Sequence, residues 1–382
     1  MLTSAAPHLA LVAGEASGDL LAGLLLGGLK QRWPGLRSEG IGGAHMVAQG
    51  FQAWWPSSRL AVRGYVEVLR HYPGLVRLRN ELGTRLLRDK PDAFIGVDAP
   101  DFNLGLETRL KTAGVRTIHF VCPSIWAWRA QRTAAIARAA DHVLCLFPFE
   151  PALLAQHGIR ASYVGHPLAD AIPLQPPRDA SRLALGLAPT APVLALLPGS
   201  RVSEVEAIAP AFLRAAALMQ AQRPTLRCVL PAAPGLRTRI EALCLQHAPQ
   251  LDVALLEGGS HAVLAACDIT LIASGTATLE AALFKRPMVI AYRMNALSWF
   301  MMKRQQLQPW VGLPNILCEQ FVVPELIQER CEPAALARET LALLDDASGV
   351  QRIQNRFIEL HHLLRQDTAR KATDAIAQAL QV

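Results

Sequence analysis

The chain has 382 residues, of which 51% are hydrophobic and 18% are charged, and its formal net charge is +7. This composition excludes a disordered chain, and the length is typical of two domains that each bury a core. The positive charge favours acidic partners such as nucleotides, phosphorylated substrates or anionic lipid. No Lys/Arg block with interleaved aromatic residues occurs, so we expect no nucleic-acid partner.

The cysteines and the apolar runs exclude further classes of protein. The seven cysteines include no Cys-x-x-Cys pair, which favours a reducing compartment over a disulfide framework and argues against a zinc site. The longest uncharged apolar runs, such as 20–29, are shorter than the roughly 20 residues that a membrane span requires. No basic segment precedes the first apolar run, so we expect no signal peptide.

Strand-like and helix-like segments alternate along the chain, which indicates parallel β-sheets covered by helices on both faces. A proline-rich stretch, 167–192, is the strongest linker candidate. We therefore predict an α/β fold of two Rossmann-like domains that face each other, with ligands at the carboxyl ends of the strands. The predicted strands lie at 9–13, 93–97, 117–121 and 142–146 before the linker, and at 193–197, 227–230, 253–256, 269–272 and 288–291 after it.

The segment Ser274–Glu280 follows one of these strands and opens a helix. A strand, a glycine turn and a helix start bring free backbone N–H groups and a positive dipole end to one point, where a phosphate can bind. The alternative is an ordinary helix start with Thr276 as its N-cap. Glu280 lies four residues beyond Thr276, whereas a capping box requires three, so capping does not explain its carboxylate.

A second turn of this kind, Pro198–Arg201, follows the first strand of the second half. Gly199 lets the backbone approach a ligand, and Arg201 offers a permanent forked cation for a diphosphate. The alternative is a strand-to-helix turn with a solvated arginine. Two phosphate-suited turns in the same half favour a nucleotide site.

In the first half, the turn Gly14–Asp19 follows the first predicted strand. It is neither a Gly-x-Gly-x-x-Gly fingerprint nor a P-loop. The carboxylates of Glu15 and Asp19 would repel a diphosphate, so the turn suits a hydroxyl-rich ligand better. An ordinary turn with an acidic helix start explains the spacing equally well.

The segment Asp98–Asn103 comes directly off another predicted strand. Pro100 prevents the strand from continuing and directs the carboxylates into a loop at its C-terminal end, where such sheets carry their active sites. Asp98 is closer to the strand than Asp101 and is the better-placed candidate base. The alternative is a pair of turn carboxylates, a role that suits Asp101 better.

For three further segments, the sequence allows either a role in core packing or a role in function. The run Pro123–Arg129 places Trp126 and Trp128 two residues apart, so both cannot face a core from one helix, although core packing of one indole is equally plausible. The segments 63–90 and 293–310 mix apolar and basic residues, which would allow docking on an anionic membrane. Core-facing helices with solvated charges are the commoner explanation.

Together, seven motifs resemble those of the lipid-A-disaccharide synthase family, and they occur in that family's order. Each motif alone is modest, but the ordered set is specific and covers nearly the whole chain. The motifs are Gly14–Asp19, Asp98–Asn103, Pro123–Arg129, Val164–Pro167, Leu197–Arg201, Ser274–Glu280 and Leu313–Asn315.

The resemblance implies a GT-B glycosyltransferase that moves 2,3-diacylglucosamine from its UDP conjugate to the 6-hydroxyl of 2,3-diacylglucosamine 1-phosphate. UDP and a β-1,6-linked disaccharide 1-phosphate would be the products. Residues 1–170 would form the acceptor domain and residues 171–349 the UDP-sugar domain, and we expect the helices of about 350–382 to pack back onto the first.

Carried onto this sequence, the resemblance makes Asp98 the favoured general base and Glu280 a ribose ligand. We expect no cofactor and no metal, because no Asp-x-Asp pair is present to hold a divalent ion. The UDP side would comprise Arg201, Ser274, Gly275, Thr276, Thr278, Glu280 and Asn315, and the acceptor and reacting sugar would meet at Glu15, Ser17, Gly18 and Asp19.

The acyl chains of both implied substrates favour a cytoplasmic protein attached peripherally to the inner membrane, and a homodimer is possible. Two alternatives stay open. A related enzyme on another UDP-sugar, such as UDP-N-acetylglucosamine epimerase or the lipid II transferase, should lack the acidic Gly14–Asp19 turn and the 126–129 run. A non-catalytic nucleotide-binding regulator would have no need of Asp98.

Overall fold

The computed structural model describes residues 6–14, 16–60, 65–127, 132–294 and 296–380. The chain divides into two compact units. The first ends at Ala171 and also takes in the chain from Leu363 onward, and the second is Ile172–His362. Each unit is built on a parallel sheet with helices packed against it, which confirms the predicted α/β class with two Rossmann-like domains.

The first unit holds a seven-stranded parallel sheet of order β3-β2-β1-β4-β5-β6-β7, so the strand order reverses between β1 and β4. Its strands are β1 His8–Ala13, β2 Arg37–Gly42, β3 Gln52–Pro56, β4 Ala93–Val97, β5 Arg116–Phe120, β6 His142–Cys145 and β7 Ala161–Tyr163. Its helices are α1 Ala16–Arg32, α2 Ala44–Ala48, α3 Tyr65–Asp89, α4 Pro100–Thr112, α5 Thr133–Ala139, α6 Glu150–Ala155, α7 Pro167–Ala171 and, at the end of the chain, α17 Thr368–Leu380.

The second unit holds a six-stranded parallel sheet of order β10-β9-β8-β11-β12-β13, with the reversal between β8 and β11. Its strands are β8 Val193–Leu197, β9 Arg227–Ala232, β10 Val253–Glu257, β11 Ile269–Ala273, β12 Met288–Tyr292 and β13 Glu325–Ile327. The helices that follow α7 are α8 Arg178–Ala184, α9 Val202–Gln222, α10 Arg237–His247, α11 Ser260–Ala266, α12 Thr276–Leu283, α13 Ala296–Gln305, α14 Leu313–Cys318, α15 Pro333–Asp345 and α16 Ala347–Leu364.

The central strands are buried on both faces. Every residue of β4, β8 and β11 is buried, which explains why these strands are continuous apolar runs and do not alternate with polar residues. On α9 the residues Val205, Ile208 and Phe212 are fully buried at helical spacing. Burying a side chain such as that of Phe212 contributes about 1.5–3 kcal/mol to folding.

The last helix, α17, packs on the first unit. A Cβ at Gly28 of α1 would lie 2.7 Å from the Cβ of Ala369, so a glycine is required for this close approach. The Asp170 carboxylate accepts hydrogen bonds from the N–H groups of Asp367 (3.0 Å) and Thr368 (2.6 Å) at the start of α17. Asp170 therefore caps a helix that lies about 200 residues further along the chain.

No helix in the described part of the chain combines the length and hydropathy that crossing a membrane requires. Apolar side chains are nevertheless exposed on the second unit. Phe300, Leu307 and Phe321 are 57%, 57% and 62% exposed. Lys303 and Arg304 are exposed in the last turn of α13, and the Arg304 guanidinium lies over the Phe300 ring, 5.0 Å from its centroid.

Candidate functional site

The predicted site residues that follow strands lie at the two points where strand order reverses. In the first unit β1 and β4 are neighbours, and the turns Gly14–Asp19 and Asp98–Asn103 follow their carboxyl ends. In the second unit β8 and β11 are neighbours, and Pro198–Arg201 and Ser274–Glu280 follow them. Such switch points leave a crevice at the carboxyl edge of a parallel sheet, where ligands of this fold class bind.

Asp98 occupies a tight turn between β4 and α4. Its φ is +50° and that of Ala99 is +44°, and this left-handed conformation costs a non-glycine residue about 1–3 kcal/mol. The Asn103 amide donates to the Asp98 carbonyl at 2.8 Å, and the N–H groups of Phe102 and Asn103 each donate to the Ala99 carbonyl at 3.0 Å. A strained turn held by hydrogen bonds therefore carries the half-buried Asp98 side chain, as is common where a group is pre-organised for function.

A buried cluster of Asn103, Glu107 and His119 lies behind this turn. All three side chains are fully buried, and His119 Nδ1 lies 2.7 Å from Glu107 Oε1. Gly96 makes room for the carboxylate, since a Cβ there would overlap the same oxygen. Burial works to lower the pKa of His119, but the carboxylates of Glu107 and Asp98 together raise it above its usual value. The sequence reasoning missed His119 and Glu107.

Asp101, on the same turn, is a solvated residue. Its side chain is 84% exposed and accepts a hydrogen bond from Arg132 Nη2 at 2.5 Å. Exposed ion pairs of this kind contribute about 0–1 kcal/mol. The structure thus gives Asp101 a surface contact at the first turn of α4.

The turn after β1 packs against the Asp98 turn. A Cβ at Gly14 would lie 3.0 Å from the Cβ of Ala99. Gly18 is buried, and a Cβ there would be 3.7 Å from the carbonyl oxygen at the end of β4. Ser17 is half-buried at the start of α1, and Glu15 lies outside the described residues. The structure therefore brings Ser17 and Gly18 to the same sheet edge as Asp98.

Asp19, in contrast, points into the protein. Its side chain is 4% exposed, and its two oxygens accept three backbone hydrogen bonds at the start of α2. The donors are the N–H groups of Gly43 (2.7 Å), His45 (2.9 Å) and Met46 (3.3 Å). Asp19 is thus an N-terminal cap of α2 supplied by another helix, and this accounts for most of its acceptor capacity.

Trp126 is part of an aromatic cluster, and Trp128 and Arg129 lie outside the described residues. The Trp126 indole N–H donates to Glu150 at 2.9 Å. Burial raises the pKa of Glu150 to about 8, although Phe147 N–H and Trp126 both donate to its carboxylate. The Trp126 ring meets Phe147 and Phe149 edge-on, with centroids 5.9 and 5.5 Å apart. This packing agrees with the core explanation of Trp126.

Arg201 opens α9 at the carboxyl end of β8. The preceding Gly199 has a φ of +119°, and a side chain there would press on Glu204. The Arg201 side chain is 40% exposed, and its guanidinium lies 3.2 Å from the Glu204 carboxylate, which also accepts the Ser200 N–H at 3.3 Å. Glu204 therefore orients Arg201 at the start of α9.

The turn after β11 is held by two hydroxyl groups. The Thr278 hydroxyl donates to the Gly275 carbonyl at 2.7 Å, and Ser274 Oγ donates to the Val311 carbonyl at 3.3 Å. Gly275 has a φ of +155° with no atom within 4 Å of a Cβ position, and Thr276 is exposed. The N–H of Thr278, the third residue of α12, donates to the Gly275 carbonyl at 3.1 Å. The exposed Gly275 and Thr276 precede it, at the helix end where the first N–H groups can meet a ligand.

Glu280 has a partner that the sequence reasoning missed. Its Oε2 lies 3.0 Å from Nε2 of His261, which is on α11. The Glu280 side chain is 18% exposed and that of His261 is 45% exposed. The His261 ring also packs on Phe284, with centroids 5.3 Å apart. His261 can thus orient the carboxylate while part of it stays accessible.

Asn315 is placed differently from the other predicted UDP-side residues. Its side chain is fully buried, and its amide makes four hydrogen bonds. Nδ2 donates to the carbonyl of Val323 and to Glu325, each at 2.9 Å, and Oδ1 accepts the N–H groups of Val322 and Val323 at 2.8 and 3.0 Å. This uses the full hydrogen-bonding capacity of an amide. In this arrangement the Asn315 amide supports the surrounding backbone, and the expected direct contact with UDP stays a prediction.

That supporting role passes through Glu325. Its carboxylate accepts the N–H groups of Val311 (3.0 Å) and Gly312 (2.8 Å) in addition to the Asn315 amide. Burial raises the pKa of Glu325 despite these donors. The Val311 carbonyl in turn accepts from Ser274, so Asn315 and Glu325 hold the backbone that backs the β11–α12 turn.

Within the described ranges, Cys122, Cys145 and Glu150 form one buried group whose potential metal-ligand atoms lie within 4.8 Å of one another. A hydrogen bond with Cys122, together with burial, raises the pKa of the Cys145 thiol. Metal binding requires a thiolate, and the Glu150 oxygens already accept hydrogen bonds from Trp126 and Phe147. Internal packing explains this group better than a metal site.

Comparison with known sequences gives a consistent result. A family model described as lipid-A-disaccharide synthetase matches residues 9–380. The lipid-A-disaccharide synthase of Verminephrobacter eiseniae (strain EF01-2) is 58% identical over 98% of this chain and 97% of that protein. That of Burkholderia thailandensis (strain ATCC 700388) is 53% identical over 98% of this chain and 96% of that protein.

Solved structures of low identity share the fold. A UDP-GlcNAc 2-epimerase from Neisseria meningitidis bound to UDP-GlcNAc has a TM-score of 0.66 and 12% identity, covering 98% of this chain and 99% of that one. CalG4, the calicheamicin glycosyltransferase, has a TM-score of 0.63 and 16% identity, covering 99% of both chains. At such identities the likeness shows the fold alone, that of GT-B glycosyltransferases and UDP-GlcNAc 2-epimerases.

Proposed function

The chain belongs to the lipid-A-disaccharide synthase family, and we propose that it transfers 2,3-diacylglucosamine from its UDP conjugate to the 6-hydroxyl of 2,3-diacylglucosamine 1-phosphate. The family makes it a glycosyltransferase of lipid A synthesis. The proposal adds the two substrates, inversion at the anomeric carbon, and the products UDP and a β-1,6 disaccharide 1-phosphate. The first unit takes the acceptor and the second takes the UDP-sugar.

The observation that carries the mechanism is the Asp98 turn. It presents a half-buried carboxylate from a strained backbone at the switch point of the first sheet. In the proposed step Asp98 accepts the proton of the acceptor 6-hydroxyl while that oxygen forms a bond to the anomeric carbon. The bond from that carbon to the phosphate oxygen breaks, and UDP leaves with the electron pair on the opposite side. General base catalysis of this kind contributes about 10²- to 10⁴-fold in rate.

The negative charge that develops on UDP is neutralised in the second unit. Arg201 supplies a cation, and the open N-terminus of α12 at Gly275 and Thr276 supplies backbone N–H groups and the positive end of a dipole. Ser274 and Thr278 keep that turn in one conformation through their hydrogen bonds. These groups perform the task for which other glycosyltransferases use a metal ion, so the proposed mechanism requires no divalent cation.

The remaining predicted residues bind the substrates or support the backbone of the site. Glu280, oriented by His261, binds the ribose hydroxyls of UDP. Asn315 acts through Glu325 and the backbone behind Ser274. On the acceptor side Glu15, Ser17 and Gly18 contact the sugars. Asp19 supports them by accepting the N–H groups of Gly43, His45 and Met46, which fixes the start of α2.

Substrates with acyl chains require contact with a lipid surface, and we place the enzyme at the cytoplasmic face of the inner membrane as a peripheral protein. The exposed Phe300 and Leu307, close in sequence to Lys303 and Arg304, support this proposal because apolar and basic groups together bind anionic bilayers. The segment 63–90 is the other expected docking region. The structure does not describe the side chains of its residues Val66, Val68 and Leu69.

Asp98→Asn tests the proposed chemistry. The variant keeps the size of the side chain but cannot take a proton, so we expect UDP affinity to stay within about twofold and turnover to fall about 10²- to 10⁴-fold. Asp101→Asn is the matched control on the same turn. The Asp101 side chain is 84% exposed and its described contact is with Arg132, so turnover should stay near normal. Near-normal turnover of Asp98→Asn would end the assignment.

A UDP-sugar epimerase of the same fold is the competing activity. The family match over residues 9–380 favours the synthase, whereas the epimerase likeness stands at 12% identity. Incubation with UDP-N-acetylglucosamine alone separates the two, since an epimerase converts it without an acceptor.

A further inference from the structure

The buried cluster of Asn103, Glu107 and His119 has no part in the proposed bond making and breaking. Taking an imidazole and a carboxylate fully out of water is costly unless the two are paired. Here they are paired, with Nδ1 of His119 at 2.7 Å from Oε1 of Glu107. Such a pair is weak evidence for added stability, because well-packed apolar residues often stabilise a core as much.

The cluster is built directly behind Asp98. Asn103 and Glu107 lie one helical turn apart on α4, and both cover Gly96 of β4, where a Cβ would be 3.0 Å from that of Asn103. His119 on β5 is the register partner of the same glycine. Gly96 precedes Asp98 by two residues, and the Asn103 amide donates to the Asp98 carbonyl at 2.8 Å. The three side chains therefore lie together beside β4, the strand that Asp98 directly follows.

Hydrogen bonding within the cluster is incomplete. Three buried atoms have no hydrogen-bond partner in the described structure: Oδ1 of Asn103, Oε2 of Glu107 and Nε2 of His119. Each such atom costs about 1–3 kcal/mol. A group of polar atoms that is both buried and unsatisfied is poorly explained by stability alone, and it lies next to a strained turn.

We propose that Glu107 and His119 are positioning residues for Asp98: Glu107 holds His119 as an imidazolium, and that buried cation keeps the Asp98 carboxylate ionised in the presence of the acylated acceptor. The proposal rests on the role of Asp98 as the base. An apolar acceptor excludes water and favours the neutral acid, whereas a cation in a low-dielectric interior favours the carboxylate. Asn103, the third member of the cluster, fixes the backbone of the Asp98 turn.

Few other charges act on His119. Glu107 on α4 and Asp98 on the β4–α4 turn are the two groups whose charges raise its pKa. The neighbouring strands present Gly96 and Val143 at its register positions, neither of which titrates. Arg138 on α5, the helix packed against α4, is exposed. On α17, which packs on β5, the exposed Arg370 pairs with Asp367 and Asp374, and Lys371 donates to the Gln366 side chain. Glu107 therefore controls the charge of His119, and the ionisation of Asp98 responds to that charge.

The test is the pH profile of kcat/KM for Glu107→Gln. Glutamine keeps the shape and a hydrogen bond to His119 but removes the charge, so burial leaves His119 neutral. The acidic limb, which reports the ionisation of the free enzyme's base, should then move to higher pH by about one unit. An unmoved limb in a folded, active variant would overturn the proposal.

Asp141→Asn is the matched control. Asp141, which precedes β6, accepts the Thr117 N–H at 2.9 Å near the opposite end of β5, so its loss removes a carboxylate that contacts the same strand without touching the cluster. We expect a lower melting temperature and an unmoved acidic limb. A limb that moves as far in Asp141→Asn as in Glu107→Gln would show a general effect of destabilisation and would also overturn the proposal.

A measurement on the unmodified protein does not depend on how any variant folds. The nitrogen chemical shifts of His119 in ¹⁵N-labelled enzyme should show an imidazolium at pH 7, and a neutral ring would contradict the proposed device. The Asp98→Asn result separates failure of the proposed base from failure of the proposed positioning residues. If Asp98→Asn retains turnover, the assignment of Asp98 as the base fails. If Asp98→Asn is inactive but the acidic limb of the Glu107→Gln pH profile has not moved, only the positioning role of Glu107 and His119 is refuted.

Discussion

Replacing Asn315 with alanine tests whether this amide supports the fold or contacts the nucleotide. The substitution leaves the N–H and the carbonyl of Val323 buried without a partner and removes one donor from Glu325. Two unsatisfied buried groups at about 1–3 kcal/mol each predict a loss of about 2–6 kcal/mol in the free energy of unfolding of the second unit. Urea unfolding followed by fluorescence and far-ultraviolet circular dichroism measures that loss.

UDP titration calorimetry on the folded variant completes the assay, and we expect affinity to fall less than about tenfold. Gln320→Ala is the matched control, because it removes the same amide group from an exposed position five residues away. The control should change the unfolding free energy by less than about 0.5 kcal/mol. An Asn315→Ala protein with wild-type stability and a UDP affinity lowered by more than about tenfold would refute the supporting role and restore a direct contact.

Three more outcomes are expected. Arg201→Ala should weaken UDP binding about 10- to 100-fold by calorimetry, with Arg239→Ala on α10 as the surface control, and unchanged affinity would remove Arg201 from the donor site. His261→Ala should raise KM for the UDP-sugar more than His261→Gln does, since glutamine can still donate to Glu280; equal values would show that His261 does not orient it. Burial raises the pKa of Glu150 from 4.5 to about 8, so its contribution to stability is complete below pH 4.5 and is lost as pH rises towards 8. Urea unfolding of Glu150→Gln should therefore show a flatter decline over that range than the unmodified protein, and parallel profiles would contradict the raised pKa.

The sequence predicted the fold class because both faces of each central strand are covered. Runs such as 93–97 and 193–197 are apolar at every position, and each is followed by a turn of small or polar residues. Those turns lie at the switch points because chain order and sheet order are linked in doubly wound folds. The fold class and the sheet edge on which the turns lie could thus be predicted from local pattern.

Partners distant in sequence could not be predicted in this way. Asp19 is satisfied by backbone groups more than 20 residues away, and Asn315 by the segment that precedes β13, so a motif position alone does not reveal whether a polar side chain is free to bind a ligand. His119 was hidden for the same reason: one histidine in an apolar strand is usually a satisfied core residue. Its pairing with Glu107 depends on α4 packing over β4 and β5.

The central claim is tested most directly by incubating the protein with UDP-2,3-diacylglucosamine and 2,3-diacylglucosamine 1-phosphate in excess EDTA and measuring UDP and disaccharide. We predict that one UDP is released per disaccharide formed, that release requires both substrates, and that EDTA leaves the rate unchanged. UDP release without disaccharide, or no release from a protein that binds both substrates, would contradict the proposed transfer.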